Sequence, residues 1–239
     1  MKQILLTVFL YLLGSCTSKT KNKITQQYDS DSLRLLKKNR VEIIQKPLNY
    51  SKQRQKLSLE YLKGRHNIKQ GFPSIKPTMI VLHYTEGGDL ESNYDYFNKD
   101  EIEPARKFNW EKSLLNVSSH YIIDRDGKIY QLVPDTLFAR HIIGLNYCAI
   151  GIENIGSSKN PLTDQQVHAN AELVRYLCIK YSIRYLIGHS EYGNFRNSAL
   201  WKETDPHYFT AKDDPGEVFL TKVRSLISNL SLKSKPKIA

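Results

Sequence analysis

The chain has 239 residues, 40% hydrophobic and 25% charged. That supports one packed domain with extensions and excludes a wholly disordered polymer. Thirty-five Lys and Arg against 24 Asp and Glu give a net charge of +11. This suits an anionic partner, whether nucleic acid, a membrane surface or an acidic polymer such as a cell wall. Charge of this kind bears on association and does not select a fold.

The first residues, "MKQILLTVFLYLLGSC", carry Lys2, an apolar run from Ile4 to Leu13, and then Gly14, Ser15 and Cys16. The run is short for a bilayer span and reads as the apolar region of a secretory signal. "LGSC" resembles a bacterial lipobox, in which the Cys is lipidated and becomes the mature N-terminus. The expectation is a lipoprotein signal peptide over 1–16. The protein would be exported and held through lipid on Cys16, at the periplasmic face or the outer membrane. A plain signal peptide or an uncleaved anchor would contain the same run. An exported protein can join Cys148 to Cys178, although each sits in an apolar context that equally suits a buried thiol.

Residues 17–70 read as a basic tether and N-terminal extension. The stretch 17–30 is polar and unpatterned, and 31–66 is rich in Lys and Arg. "SLEYLKGRH" forms a short amphipathic helix in this reading, with Leu59 and Leu62 flanking Tyr61. The basic run is a solvated face or a contact with membrane or wall. The main domain is placed at 71–230, compact from about Pro73, followed by a basic tail over 231–239.

Within that domain, Met79–Tyr84 reads as a buried strand. "HYIIDRDGKIYQLV" reads as a hairpin around Asp126-Gly127, and Ala149–Asn154 as a second buried strand. Thr163 and Gln166 form a capping box. It opens a helix whose apolar stripe is Val167, Ala171, Val174, Leu177, Cys178 and Tyr181. "RYLIGHS" is a strand ending in Gly188-His189. "EVFLTKVRSLISNL" is a last helix with Phe219, Val223, Leu226 and Leu230 on one side. Alternating strands and helices predict an α/β fold with a mixed central β-sheet flanked by helices.

Two of these strands end in histidine, His83 and His189. A lone strand-end His is ordinarily a hydrogen-bonded structural residue. Two of them at the ends of α/β strands can converge on one crevice. Asp214 precedes Pro215-Gly216, a turn that fixes the direction of its carboxylate. Two imidazoles and a carboxylate suit a zinc ion with an open fourth position for water. The spacing is not a local metal signature, and spacing alone leaves the set weakly specified.

"MIVLHYT", "SSHYIIDRDGKIYQLVPD", "AIGIENIG", "IGHSEY" and "KDDPGEVF", in that order, resemble the zinc-dependent N-acetylmuramoyl-L-alanine amidases of the amidase-2 type, related to the peptidoglycan recognition proteins. The resemblance covers about 75–225. It implies a single domain of that fold, a zinc-bearing groove, and cleavage of the amide between N-acetylmuramic acid and L-alanine in peptidoglycan or muropeptides. Position by position it implies His83, His189 and Asp214 as zinc ligands, Glu153 as the proton-handling acid, and Lys212 as the lysine two positions before the third ligand. His141, Arg140 and Asn116 are expected to line the substrate cleft, and His120 to stand behind a ligand.

The gap from His189 to Asp214 is long for this family. The extra segment, 194–210, contains Asp205 and His207, which compete for the third ligand position. Asp214 is preferred because Lys212, Pro215, Gly216 and Phe219 match around it. Trp201, Tyr192 and Phe195 either offer faces for sugar stacking or pack the loop. A monomer is expected, and nucleic acid is not, since no motif for it is visible. A peptidoglycan-binding module without turnover is the competing reading. Its relatives commonly lack a ligand, whereas every candidate position is filled here.

Overall fold

The computed structural model describes residues 41–236. The signal-peptide reading of 1–16 with Cys16, the first part of the tether and the end of the basic tail lie outside the described residues. Six strands form one sheet: β1 (Ile43–Gln45), β2 (Met79–Leu82), β3 (Tyr121–Ile123), β4 (Ile129–Gln131), β5 (Ala149–Asn154) and β6 (Tyr185–Gly188), in the order β1-β4-β3-β5-β2-β6. The β3–β4 hairpin is antiparallel, and every other pairing is parallel. The expected mixed sheet flanked by helices is what the chain forms.

Strands β2, β5 and β6 are almost continuous runs of Val, Ile, Leu and other apolar residues, as parallel strands covered on both faces require. Side chains alternate between faces. Ile80, Leu82, Ile150, Ile152 and Leu186 join the large core. Met79, Val81, Ala149, Tyr185 and Ile187 face a second cluster on the other side.

Helix α4 (Asp164–Lys180) lies on the first face. Its N-terminus carries the expected capping box, with Thr163 and Gln166 bonding each other's backbone. Val167, Ala171, Val174 and Leu177 of its stripe are buried. Helix α5 (Glu217–Leu226) packs beside it through Phe219, Leu220 and Val223. The expected helix runs further than the observed one. Ile227 leaves helical geometry and enters the core, so Leu226 is left partly exposed.

Residues 41–70, which the sequence sets apart as an extension, belong to the same compact unit as the rest. β1 adds a parallel edge strand beside β4. Helix α1 (Lys52–His66) is capped by Ser51 and buries Leu57, Tyr61 and Leu62 against Ile75, Leu115 and Phe138. Buried Arg54 donates to the carbonyls of Phe97 and Lys99 and pairs with Asp100. Helices α2 (Leu90–Asn98) and α3 (Lys107–Lys112) lie in the connection between β2 and β3. No described helix is long and apolar enough to cross a membrane. Cys148 and Cys178 are both free thiols.

If α1 is a structural part of the domain, Leu62→Ala should lower stability by about 2–5 kcal/mol in denaturant unfolding, as for a core leucine. A residue in a solvated tether would change it by no more than about 0.5 kcal/mol.

Candidate metal centre

β2 pairs in parallel with β6, Leu82 opposite Gly188. The next residue on each strand is a histidine, so His83 and His189 stand side by side. On the other flank, Leu82 pairs with Ile152, which puts Glu153 beside His83. Alternation sends His83, Glu153 and His189 to the face shared by Val81 and Ile187, away from α4 and α5. The His83 backbone stays tied to β5 through His83 N–H to the Ile152 carbonyl (2.9 Å) and Asn154 Nδ2 to the His83 carbonyl (3.0 Å).

Asp214 reaches the same point from the loop before α5. The Ser190 N–H donates to the Asp214 carbonyl at 2.9 Å, holding the loop against the residue after His189. Gly188 makes this approach possible: a Cβ there would stand 2.9 Å from Pro215 Cδ.

The three donors form a tight triangle. His83 Nδ1 is 3.0 Å from His189 Nδ1, and Asp214 Oδ2 is 3.2 Å from each. Donors bound tetrahedrally at about 2.0–2.2 Å lie about 3.3–3.6 Å apart, so the residues fit a divalent cation after outward shifts of a few tenths of an ångström. They are the group of His, Cys, Asp and Glu residues with metal-binding geometry among the described residues. Three protein donors leave a fourth position, which is the pattern of a catalytic zinc site rather than a closed structural one.

The charge states suit the same role. Burial, with His83 alongside, pulls the His189 pKa down to about 4, so its imidazole is neutral near pH 7. Burial opposes ionisation of Asp214, but the His189 and His83 imidazoles against it outweigh that and hold the carboxyl well below its ordinary value. A neutral imidazole and an ionised carboxylate are the forms that ligate.

A cleft of about 200 Å³ opens over the triangle, with Glu153, Lys212, Arg106 and Arg140 in its walls. Burial raises the Glu153 carboxyl to about 7, against an ordinary 4.5. Its Oε2 is buried and accepts no hydrogen bond from the described residues. Lys212 is exposed at the rim. A second recess of about 120 Å³ shares His141, His189 and Lys212 with the first, and its far wall is Tyr61 from α1 and Tyr208 from the extra segment.

The other expected residues divide. His141 lines both recesses, and its ring nitrogens face His83 Nε2 (3.0 Å) and the Ala149 carbonyl (3.2 Å). Arg140 reaches the cleft edge, but its guanidinium donates to the Ser113 and Leu115 carbonyls and to the Tyr208 hydroxyl. Asn116 is buried, with its amide on the Tyr96 carbonyl and the Val117 N–H. His120 lies behind His141, ring to ring at 5.8 Å. Asp205 is held by Lys112 (2.8 Å) and Arg65 (3.6 Å) and takes no part in the triangle. Tyr192 and Phe195 are buried in the second cluster and Trp201 packs against it, so these aromatics pack the loop rather than present faces for sugars. Tyr61, Arg106 and Tyr208 line the site without any sequence signal, because loops and a helix far apart in the chain bring them together.

Two outcomes test this geometry. Asp214→Ala should strip bound zinc, measured by metal analysis after dialysis, and Asp205→Ala should leave zinc content unchanged. In metal-free protein, the folded state keeps the Glu153 proton that the unfolded chain loses between about pH 4.5 and 7. Stability therefore falls as pH rises through that window, and Glu153→Gln should flatten that part of the stability–pH curve.

Comparison with known proteins gives the family. The Amidase_2 family model, described as N-acetylmuramoyl-L-alanine amidase, matches residues 73–217. The 1,6-anhydro-N-acetylmuramyl-L-alanine amidase AmpD of Salmonella typhimurium strain SL1344 is 32% identical over 145 residues, covering 55% of this chain and 74% of that protein. Among solved structures, the Ph2119 endolysin from the Thermus scotoductus MAT2119 bacteriophage Ph2119 aligns with a TM-score of 0.49 and 19% identity over 80% of this chain and 100% of its own. The amidase LysC from Clostridium intestinale URNW aligns with a TM-score of 0.45 and 21% identity over 80% and 99%. With the family model spanning more than half of its length and the metal triangle lying inside that span, the chain belongs to the Amidase_2 family of N-acetylmuramoyl-L-alanine amidases.

Proposed function

We propose that the protein hydrolyses the amide joining the lactyl group of N-acetylmuramic acid to L-alanine in peptidoglycan or muropeptides, with a zinc ion held by His83, His189 and Asp214. The observation that carries this is the triangle of donors at 3.0–3.2 Å at the floor of an open cleft. Zinc bound there supplies a Lewis acid for the scissile carbonyl and lowers the pKa of water towards about 7.

The chain's own residues do the rest. Glu153 takes a proton from the attacking water at its unpartnered carboxylate and delivers it to the leaving alanine nitrogen. Its raised pKa places both protonation states within reach near neutral pH. Lys212 at the rim offsets negative charge developing on the carbonyl oxygen, a contribution of about 3–4 kcal/mol for one well-placed donor in other enzymes. The burial of His83, His189 and Asp214 limits competing water and strengthens each electrostatic contact.

Binding without turnover is the weaker reading, because all three ligand positions and the acid are filled. The setting we propose is the bacterial envelope, with the domain tethered by lipid on Cys16 and its net charge of +11 favouring an anionic wall.

Purified zinc-loaded protein, given defined muropeptides, should release free stem peptide with an N-terminal alanine, read by mass spectrometry. Removing the metal with a chelator should stop release, and zinc should restore it. Glu153→Gln should keep its zinc and lose turnover by about 100-fold or more. Binding to peptidoglycan with no peptide released would favour the non-catalytic module. For the anchor, the mass of the mature N-terminal peptide should show acylated Cys16; an unmodified N-terminus elsewhere would remove it.

A further inference from the structure

We propose that His141 is a positioning residue for the metal site: a hydrogen-bond chain from the Ala149 carbonyl through the His141 ring fixes His83 as the tautomer whose Nδ1 lone pair faces His189 and Asp214. The use made of that lone pair rests on the metal reading above. The tautomer itself is a property of the metal-free chain.

The chain of donors has one polarity. The Ala149 carbonyl carries no proton, so His141 Nε2, 3.2 Å away, supplies one. A neutral imidazole protonated at Nε2 leaves Nδ1 as an acceptor. That Nδ1 lies 3.0 Å from His83 Nε2, so His83 donates there. His83 Nδ1 is then unprotonated, 3.0 Å from His189 Nδ1 and 3.2 Å from Asp214 Oδ2, and the Asp214 carboxylate takes its hydrogen bond from His189 Nδ1–H at 3.2 Å. A doubly protonated His141 would instead be a half-buried cation ring to ring with two other imidazoles, His83 and His120.

The His141 ring is held by neighbours on several sides. Its backbone N–H and that of Ile142 both donate to Asn146 Oδ1, at 2.9 and 2.8 Å. Its ring meets His83 edge-on, with centroids 5.2 Å apart and planes at 88°. His120 backs it, itself held between the Gly151 N–H (3.0 Å) and the Leu137 carbonyl (2.9 Å). Beneath the ring lies Gly151, where a Cβ would stand 2.7–2.9 Å from three ring atoms. A glycine in the middle of β5 weakens a strand, and here the missing side chain is the seat of the imidazole. Such outer partners orient a metal ligand and set its basicity, and losing one typically costs 10–100-fold in metal affinity.

The test combines ring-nitrogen assignment by long-range ¹H–¹⁵N spectra of metal-free, ¹⁵N-histidine-labelled protein with zinc affinity by chelator competition, in wild type, His141→Asn, His141→Phe and Gly151→Ala. In wild type, the His83 proton should sit on Nε2 before any metal is added. His141→Asn should keep that tautomer and most of the affinity, because the amide Oδ1 falls where Nδ1 stands and accepts the same bond. His141→Phe should mix the tautomers and weaken zinc by about 10–100-fold. Gly151→Ala should move in the same direction with the imidazole still present, and it decides the matter if His141→Phe does not fold. A His83 proton on Nδ1 in metal-free wild type overturns the proposal. So does wild-type affinity in folded His141→Phe, including the case where turnover alone is lost, which would assign His141 to the substrate. If wild type binds no zinc at all, the metal reading fails, and the tautomer assignment still decides this one.

Discussion

The parallel register of β2 with its two neighbours is the constraint on which the site depends. Pairing Leu82 with Gly188 on one side and with Ile152 on the other makes the next residue of each strand converge at one edge of the sheet. A slip of one residue would reverse every side chain. It would send His83 into the apolar layer under α4 and bring Leu82 to the cleft. The register is therefore enforced by the core: Ile80, Leu82, Ile150, Ile152 and Leu186 are all fully or nearly fully buried and have no alternative place. The geometry of the candidate metal donors is held by hydrophobic burial several residues away.

Burial also sets the chemistry. Removing these groups from water disfavours their charged forms, which keeps His189 neutral and raises Glu153. Asp214 escapes that trend because two imidazoles stand against its carboxylate, each with a ring nitrogen 3.2 Å from Oδ2. One environment thus yields an ionised ligand and, beside it, an acid poised near neutrality. The difference between the two carboxylates lies in their partners: Asp214 has two close ones, while Glu153 Oε2 has none.

A helix that precedes the matched family region and the long segment 194–210 within it shape what lies around the candidate site. Arg65 at the end of α1 pairs with buried Glu203 at 2.6 Å, and the Thr204 N–H donates to the Arg65 carbonyl at 3.1 Å. The Arg65 guanidinium also lies over the Tyr208 ring at 4.8 Å. The N-terminal helix and the segment 194–210 are thereby locked together, and each gives one tyrosine to the recess beside His189. The cleft wall is completed by a helix ahead of the matched span and a segment within it, joined through an ion pair whose Glu203 side chain is buried.

Much of this was readable from the residues alone. The apolar runs 79–82, 149–154 and 185–188, the Thr163–Gln166 box and the Asp-Gly hairpin each express a local rule, so composition and spacing reveal them. The histidines at two strand ends and Asp214 in its Pro-Gly turn were likewise visible as candidates. Sequence could not rank Asp214 above Asp205 by distance, nor show that His141 touches His83, nor that 41–70 adds a strand and a helix to the domain. β1 has only three residues, and although part of α1 reads as a short amphipathic helix, its buried face includes Arg54 and His66, so neither announces that it packs into the domain. The sequence by itself determined the main elements, the candidate donors and the family. The tertiary structure decided which carboxylate closes the triangle, what supports His83 and what walls the cleft, because those depend on contacts between segments tens of residues apart, which leave no pattern in the local order of side chains.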